Sequence, residues 1–95
     1  MKIVLSGEII SSESDFHRQF SKAFGIESFY GCNIHALWDV LSVGIERPIN
    51  LVWKNAKLSQ KEMGGDFEKI IAVLESVRLQ DEEYGWKDKF TYSLD

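Results

Sequence analysis

Apolar positions along the chain fall into two periods. KIVLSG, Lys2 to Gly7, is a β-branched and aliphatic run closed by glycine, and it reads as a buried strand. Ser12 with Asp15 three residues on forms a capping-box pattern, after which Phe16, Phe20, Ala23 and Phe24 recur at helical spacing until Gly25. Asn33 is suited to cap a second helix that runs to about Val43 and stops at Gly44. Pro48 opens PINLVW, a second aliphatic strand. Lys54 to Gly65 is mixed and polar, fitting a loop or one irregular helical turn. Asp66 can cap a third helix with an apolar face of Phe67, Ile70, Ile71, Leu74 and Val77, ending near a solvated acidic turn, Asp81-Glu82-Glu83. Trp86 to Leu94 alternates imperfectly as a last strand.

The order strand, two helices, strand, helix, strand predicts parallel pairing across helical crossovers. The fold class is α/β: a small three-stranded parallel β-sheet with helices packed on it. At 95 residues with 44% hydrophobic positions the chain is expected to form a single domain spanning 1–95, folding without staples. One proline and no low-complexity tract exclude a disordered or linker-rich chain. The single Cys excludes an internal disulfide, Met1 leads straight into a strand with no signal-peptide pattern, and no apolar run is long enough to span a bilayer. A soluble cytoplasmic protein, monomeric when free, is expected. The net charge of −4 disfavours direct binding to nucleic acid and favours a basic partner.

The chemistry gathers in FYGCNIHALWDVLS, Phe29 to Ser42, which contains no Lys or Arg. On a helix from Asn33, Ile34, Leu37, Trp38 and Leu41 share one side, while His35, Asp39 and Ser42 face solvent. His35 and Asp39 are four apart and can meet. In the plainest reading Tyr30 and Trp38 are core and the polar residues solvate a helix. Cys32, His35 and Asp39 as metal ligands would need C-x2-H-x3-D, which is not a recurrent zinc spacing and lacks a fourth ligand. As a Cys-His-Asp nucleophilic set they lack an oxyanion hole. The remaining reading is a protein-binding face, since aromatic anchors around one carboxylate match the makeup of interface hot spots. No cofactor or metal is expected, and no catalysis.

Ser6-Gly7-Glu8, Asp15, His17, Tyr30-Gly31, Asn33, Ala36-Leu37-Trp38-Asp39, Leu41, Pro48 and Trp53 together resemble the barstar family of intracellular ribonuclease inhibitors. The likeness runs without a gap from Met1 to Trp53, carried by YG-x-N-x-x-ALWD. Beyond Trp53 only the helix at Asp66 to Arg78 and a final strand are similar. The resemblance implies a three-stranded parallel fold and an inhibitor or immunity protein that covers a basic nuclease's active site with the second helix and the preceding loop. Asp39 stands at the family's central aspartate, which takes the place of a substrate phosphate. Gly31, Asn33, Ala36, Trp38 and Asp39 match contact positions, and Ser42 and Ile45 are conservative replacements at two more. Phe29 replaces a tyrosine, His35 a second aspartate, and Ser76 a glutamate, with Glu75 adjacent. A barstar-like domain serving a different, non-nuclease partner, or a small enzyme using Cys32, are the alternatives.

Overall fold

The computed structural model describes residues 1–95. Its strands are β1 (Lys2–Ser6), β2 (Ile49–Lys54) and β3 (Phe90–Leu94), and its helices are α1 (Glu13–Phe24), α2 (Ile34–Asp39), α3 (Ala56–Met63) and α4 (Gly65–Glu83). A π-helical turn, Val40–Gly44, continues α2, and a 3-10 turn, Gly7–Ile9, follows β1. The sheet has the order β1-β2-β3 with both pairings parallel, as the alternation of strands and helices predicts.

The register places Ile3, Leu51 and Tyr92 side by side, as it does Leu5, Trp53 and Leu94. All but Leu94 of this set are buried or partly buried beneath the helices. Lys2, Val4, Thr91 and Ser93 line the opposite face, which is open to solvent. A parallel sheet is ordinarily covered on both faces; here no helix covers the second, where the edge strands are exposed and only Val52 of the central strand is buried. Trp53 is the centre of the core, with its ring 5.1 Å from Phe16 and 5.0 Å from Phe67 between centroids. α1 packs on β1 and α4 on β3, whereas the chief neighbour of α2 is α4.

Caps set the helix ends. Ser12 Oγ accepts from the Asp15 amide at 3.1 Å, and Gly25 ends α1 in the left-handed region at φ 69°. α4 begins one residue before the expected cap: Gly64 supplies the turn at φ 59°, and Asp66 lies in the first turn, where its charge favours the helix dipole.

Four expectations are corrected. The segment after Lys54 is a regular two-turn helix rather than a loop or one irregular turn. Its inner face is Ala56, Ser59 and Met63, and Ser59 is buried because Trp53 Nε1 donates to its Oγ at 3.1 Å while Oγ donates to the Gly7 carbonyl at 3.3 Å. Gly7 is obligatory there, since a Cβ would lie 2.0 Å from the Asn55 carbonyl oxygen. Asp81 is not solvated: α4 extends past it and turns its carboxylate inward, fully buried. Arg47 Nε and Nη2 reach that carboxylate at 2.8 and 3.0 Å, and the Phe90 amide donates to it at 2.7 Å. β3 starts at Phe90, not Trp86; Trp86 stays outside, its ring over Arg47 at 5.6 Å and against Tyr84 at 5.2 Å. Ala23, grouped with the apolar face of α1, is exposed.

Candidate functional site

The loop Phe29–Asn33 is held from beneath. Tyr30 is buried, with its hydroxyl 2.7 Å from His17 Nδ1, and His17 Nε2 lies 2.9 Å from Glu13 Oε2. The carboxylate can only accept, so Nε2 carries a proton, and in the neutral ring Nδ1 accepts from the Tyr30 hydroxyl. Burial first, then the charges of Cys32 and Glu13, pushes the Tyr30 phenol well above its ordinary pKa, which keeps that donor protonated. With Tyr30 fixed to α1, its neighbours are turned outward: Phe29 is 70% exposed and Gly31 is exposed.

Asn33 joins the loop to α2. Its Oδ1 accepts from the Ala36 amide at 2.8 Å, and its Nδ2 donates to the Gly31 carbonyl at 3.2 Å. Gly31 lies so close to the first turn that a Cβ would stand 3.2 Å from Ala36 Cβ. Sequence spacing and structure agree on this arrangement. Cys32 is exposed with φ 53°, its Sγ 3.8 Å from the Tyr30 carbonyl. Cys32, His35 and Asp39 form no cluster able to hold a metal ion.

Along α2, Leu37 is fully buried, Ala36 is partly covered, Trp38 is 36% exposed, and His35 and Asp39 are exposed. Trp38 is therefore a surface residue and Tyr30 a core one, so the plainest reading of the two aromatics holds for Tyr30 alone. Two further expectations fail. His35 and Asp39 form no ion pair despite their spacing, and neither side chain has a hydrogen-bond partner within the protein. Ser42 is buried rather than solvent-facing, its Oγ donating to the Asp39 carbonyl at 3.4 Å. The π turn accounts for this: its extra residue per turn retards Ser42 toward the side of Leu37 and Leu41. Val43 is carried outward instead, 86% exposed, and Ile45 packs partly on the core. The Arg47 guanidinium fixes the exit from α2, donating from Nη1 to the Ile45 carbonyl at 2.9 Å while it holds Asp81.

The carboxylate next to Ser76 does not reach this face. Glu75 Oε1 and Oε2 accept from Arg78 Nε and Nη2 at 2.9 and 2.6 Å, and the Tyr92 hydroxyl donates to Oε1 at 2.9 Å. The Arg78 hydrogen bonds, then that of Tyr92, draw the Glu75 pKa down to about 2. Ser76 itself donates to the Ala72 carbonyl at 2.8 Å. Asp39 is thus an unpaired carboxylate on a short, firmly capped helix with Trp38 beside it. Such a group can receive charge-assisted hydrogen bonds from an approaching cation without first breaking any internal bond.

The sequence model of the family described as "Barstar (barnase inhibitor)" matches residues 1–93. The chain belongs to the barstar family. A Bacillus subtilis (strain 168) protein named "Putative ribonuclease inhibitor YrdF" is 28% identical over 83 residues, covering 85% of this chain and 91% of that protein. The family match extends the barstar likeness beyond Trp53, across α3, α4 and most of β3, where residue patterns show topology only. No helix of the protein is long and apolar enough to cross a membrane. The surface residues that pattern reading passed over are Val43, Lys69 and Ala72: the first is displaced by the π turn, and the others come from α4, distant in sequence, to lie beside α2.

Proposed function

We propose that this barstar-family protein inhibits a ribonuclease by laying α2 and the loop before it across the enzyme's active site, acting as an immunity protein in the cytoplasm. Asp39 is the anchor and occupies the place of a substrate phosphate. Phe29, Gly31, Asn33, His35, Ala36, Trp38 and Ile45 surround it at the interface, with Ser42 supporting the turn from below. The observation that carries this reading is the state of Asp39: exposed, without any internal hydrogen bond or ion pair, on a helix whose cap and exit are both fixed. An enzyme that cleaves a polyanion must present cations along its cleft, and a preformed carboxylate meets them at low reorganisation cost. The protein acts by occlusion, not catalysis, and is monomeric until it binds.

The test is inhibition of RNA cleavage by barnase, the enzyme named in the family's description. The protein is expected to inhibit in competition with RNA, with one molecule per enzyme at saturation. Absence of inhibition by both the wild type and His35→Asp, which restores the acid the family has at that position, or binding that leaves RNA cleavage intact, would overturn the proposal.

A further inference from the structure

Beside Asp39 the same surface changes character. A shallow groove runs between α2 and α4, with Ile34, Trp38, Ala72 and Val73 forming its walls and His35 and Lys69 at its rim. Ser76, at one end, has turned its hydroxyl onto its own helix. No carboxylate lines the groove, although the chain as a whole carries four more acids than bases. Glu75, which could have supplied one, is held by Arg78 and Tyr92. The Lys69 side chain is 67% exposed and forms only a loose ion pair with Asp66, at 3.8 Å and beyond hydrogen-bond length. The ammonium makes no hydrogen bond within the protein, and neither does the His35 ring.

The face is bipolar in consequence. Asp39 attracts a cation, while the adjoining groove offers an ammonium and an imidazole above an apolar floor that suits the methylenes of an acidic side chain. Resting on the ribonuclease-inhibitor reading above, we propose that this groove receives a carboxylate-bearing segment of the partner enzyme. It reads charge: it favours a ribonuclease with an acid at that edge of its cleft and disfavours one that presents cations there, since a like charge facing Lys69 opposes docking.

The experiment measures competitive inhibition of barnase by the wild type, Lys69→Glu, His35→Asp and the double variant, with Lys69→Ala as a neutral control. Both side chains are exposed, so the variants are expected to keep the wild-type melting temperature. Against an RNA-binding cleft rich in cations, each acidic substitution should tighten inhibition by about 1.5- to fivefold, the double variant more, and Lys69→Ala less than Lys69→Glu. Inhibition by the wild type that is unchanged or weakened by the acidic substitutions would overturn the inference and leave the proposed function standing. Failure of every variant to inhibit would remove the proposed function, and the inference would fall with it.

Discussion

Replacing Asp81 with alanine removes both hydrogen bonds to Arg47 and leaves the Phe90 amide without its acceptor at the start of β3. The Arg47 side chain is only 8% exposed and the Asp81 side chain is fully buried, so solvent cannot readily replace the lost partner. Deleting one member of a buried ion pair costs about 3–5 kcal/mol because the other is left as an uncompensated charge. A domain of 95 residues has about 5–14 kcal/mol of stability in all, so the substitution should consume a large fraction of it. At roughly 4–8 °C per kcal/mol, a 3 kcal/mol loss lowers the melting temperature by about 12–24 °C. Urea unfolding followed by tryptophan fluorescence measures this, and the cycle with Arg47→Met separates the pair from the packing around it. The double variant should be less destabilised than the sum of the single ones, since removing both charges leaves none unpaired. A loss below about 1 kcal/mol for Asp81→Ala, or strictly additive losses, would show that Arg47 and Asp81 are not coupled as a buried pair. The pair also has a pH signature. Burial alone would raise the Asp81 pKa, but the hydrogen bonds from Arg47 and Phe90 and the charges of Arg47 and Lys89 hold it below the ordinary carboxylate value. A depressed folded-state pKa means that the stabilisation is fully present above the unfolded carboxylate's pKa, about 3.9. It is lost as pH falls below that value and through the folded one. Asp81→Asn should flatten acid denaturation in that window.

Gly7→Ala should destabilise by at least about 2 kcal/mol, because its methyl would stand 2.0 Å from a backbone oxygen and β1 and the turn after β2 must separate; thermal melting checks this. Asn33→Ala removes the cap on α2 and should cost about 1 kcal/mol of stability, with a further loss of barnase affinity measurable by calorimetry because the loop and helix are no longer held together. The Glu75 carboxyl should titrate with a midpoint of about 2 in an NMR pH series. Tyr92→Phe should move that midpoint upward by removing one of its donors, and a midpoint near the ordinary glutamate value in the wild type would contradict the Arg78 and Tyr92 bonding.

The parts of the fold legible in the sequence are those whose signals are local. Ser12, Gly25 and Asn33 act at the ends of their own helices, and the aliphatic runs of β1 and β2 pair in parallel because helices separate them. The α3 helix was hidden because its inner face is a small residue, a serine and a methionine; the serine is buried through bonds to Trp53 and Gly7, and Leu58, the residue that looks like core, is 49% exposed. Asp81 was unreadable for a similar reason. Its cation lies 34 positions away, and an acidic run at a helix end looks solvated when viewed alone. At the site, residue patterns placed the Asn33 cap and the exposed Asp39 where the structure has them, but a uniform helical period put Ser42 on the wrong side, because a π turn shifts the phase after Asp39. Residue spacing sets His35 beside Asp39, whereas in the structure it lies with Lys69 along the groove between α2 and α4.

Calorimetric titration of barnase with wild type and Asp39→Ala decides whether Asp39 anchors the protein on a ribonuclease. Asp39 makes no internal side-chain bond, so the variant should melt within about 0.5 kcal/mol of the wild type, and any loss of affinity belongs to the interface. Each charge-assisted hydrogen bond removed is worth about 1.5–3 kcal/mol, so Kd should rise at least about ten- to 150-fold. Binding by the wild type that changes by less than about 0.5 kcal/mol on the substitution, the size of an ordinary surface effect, would contradict it.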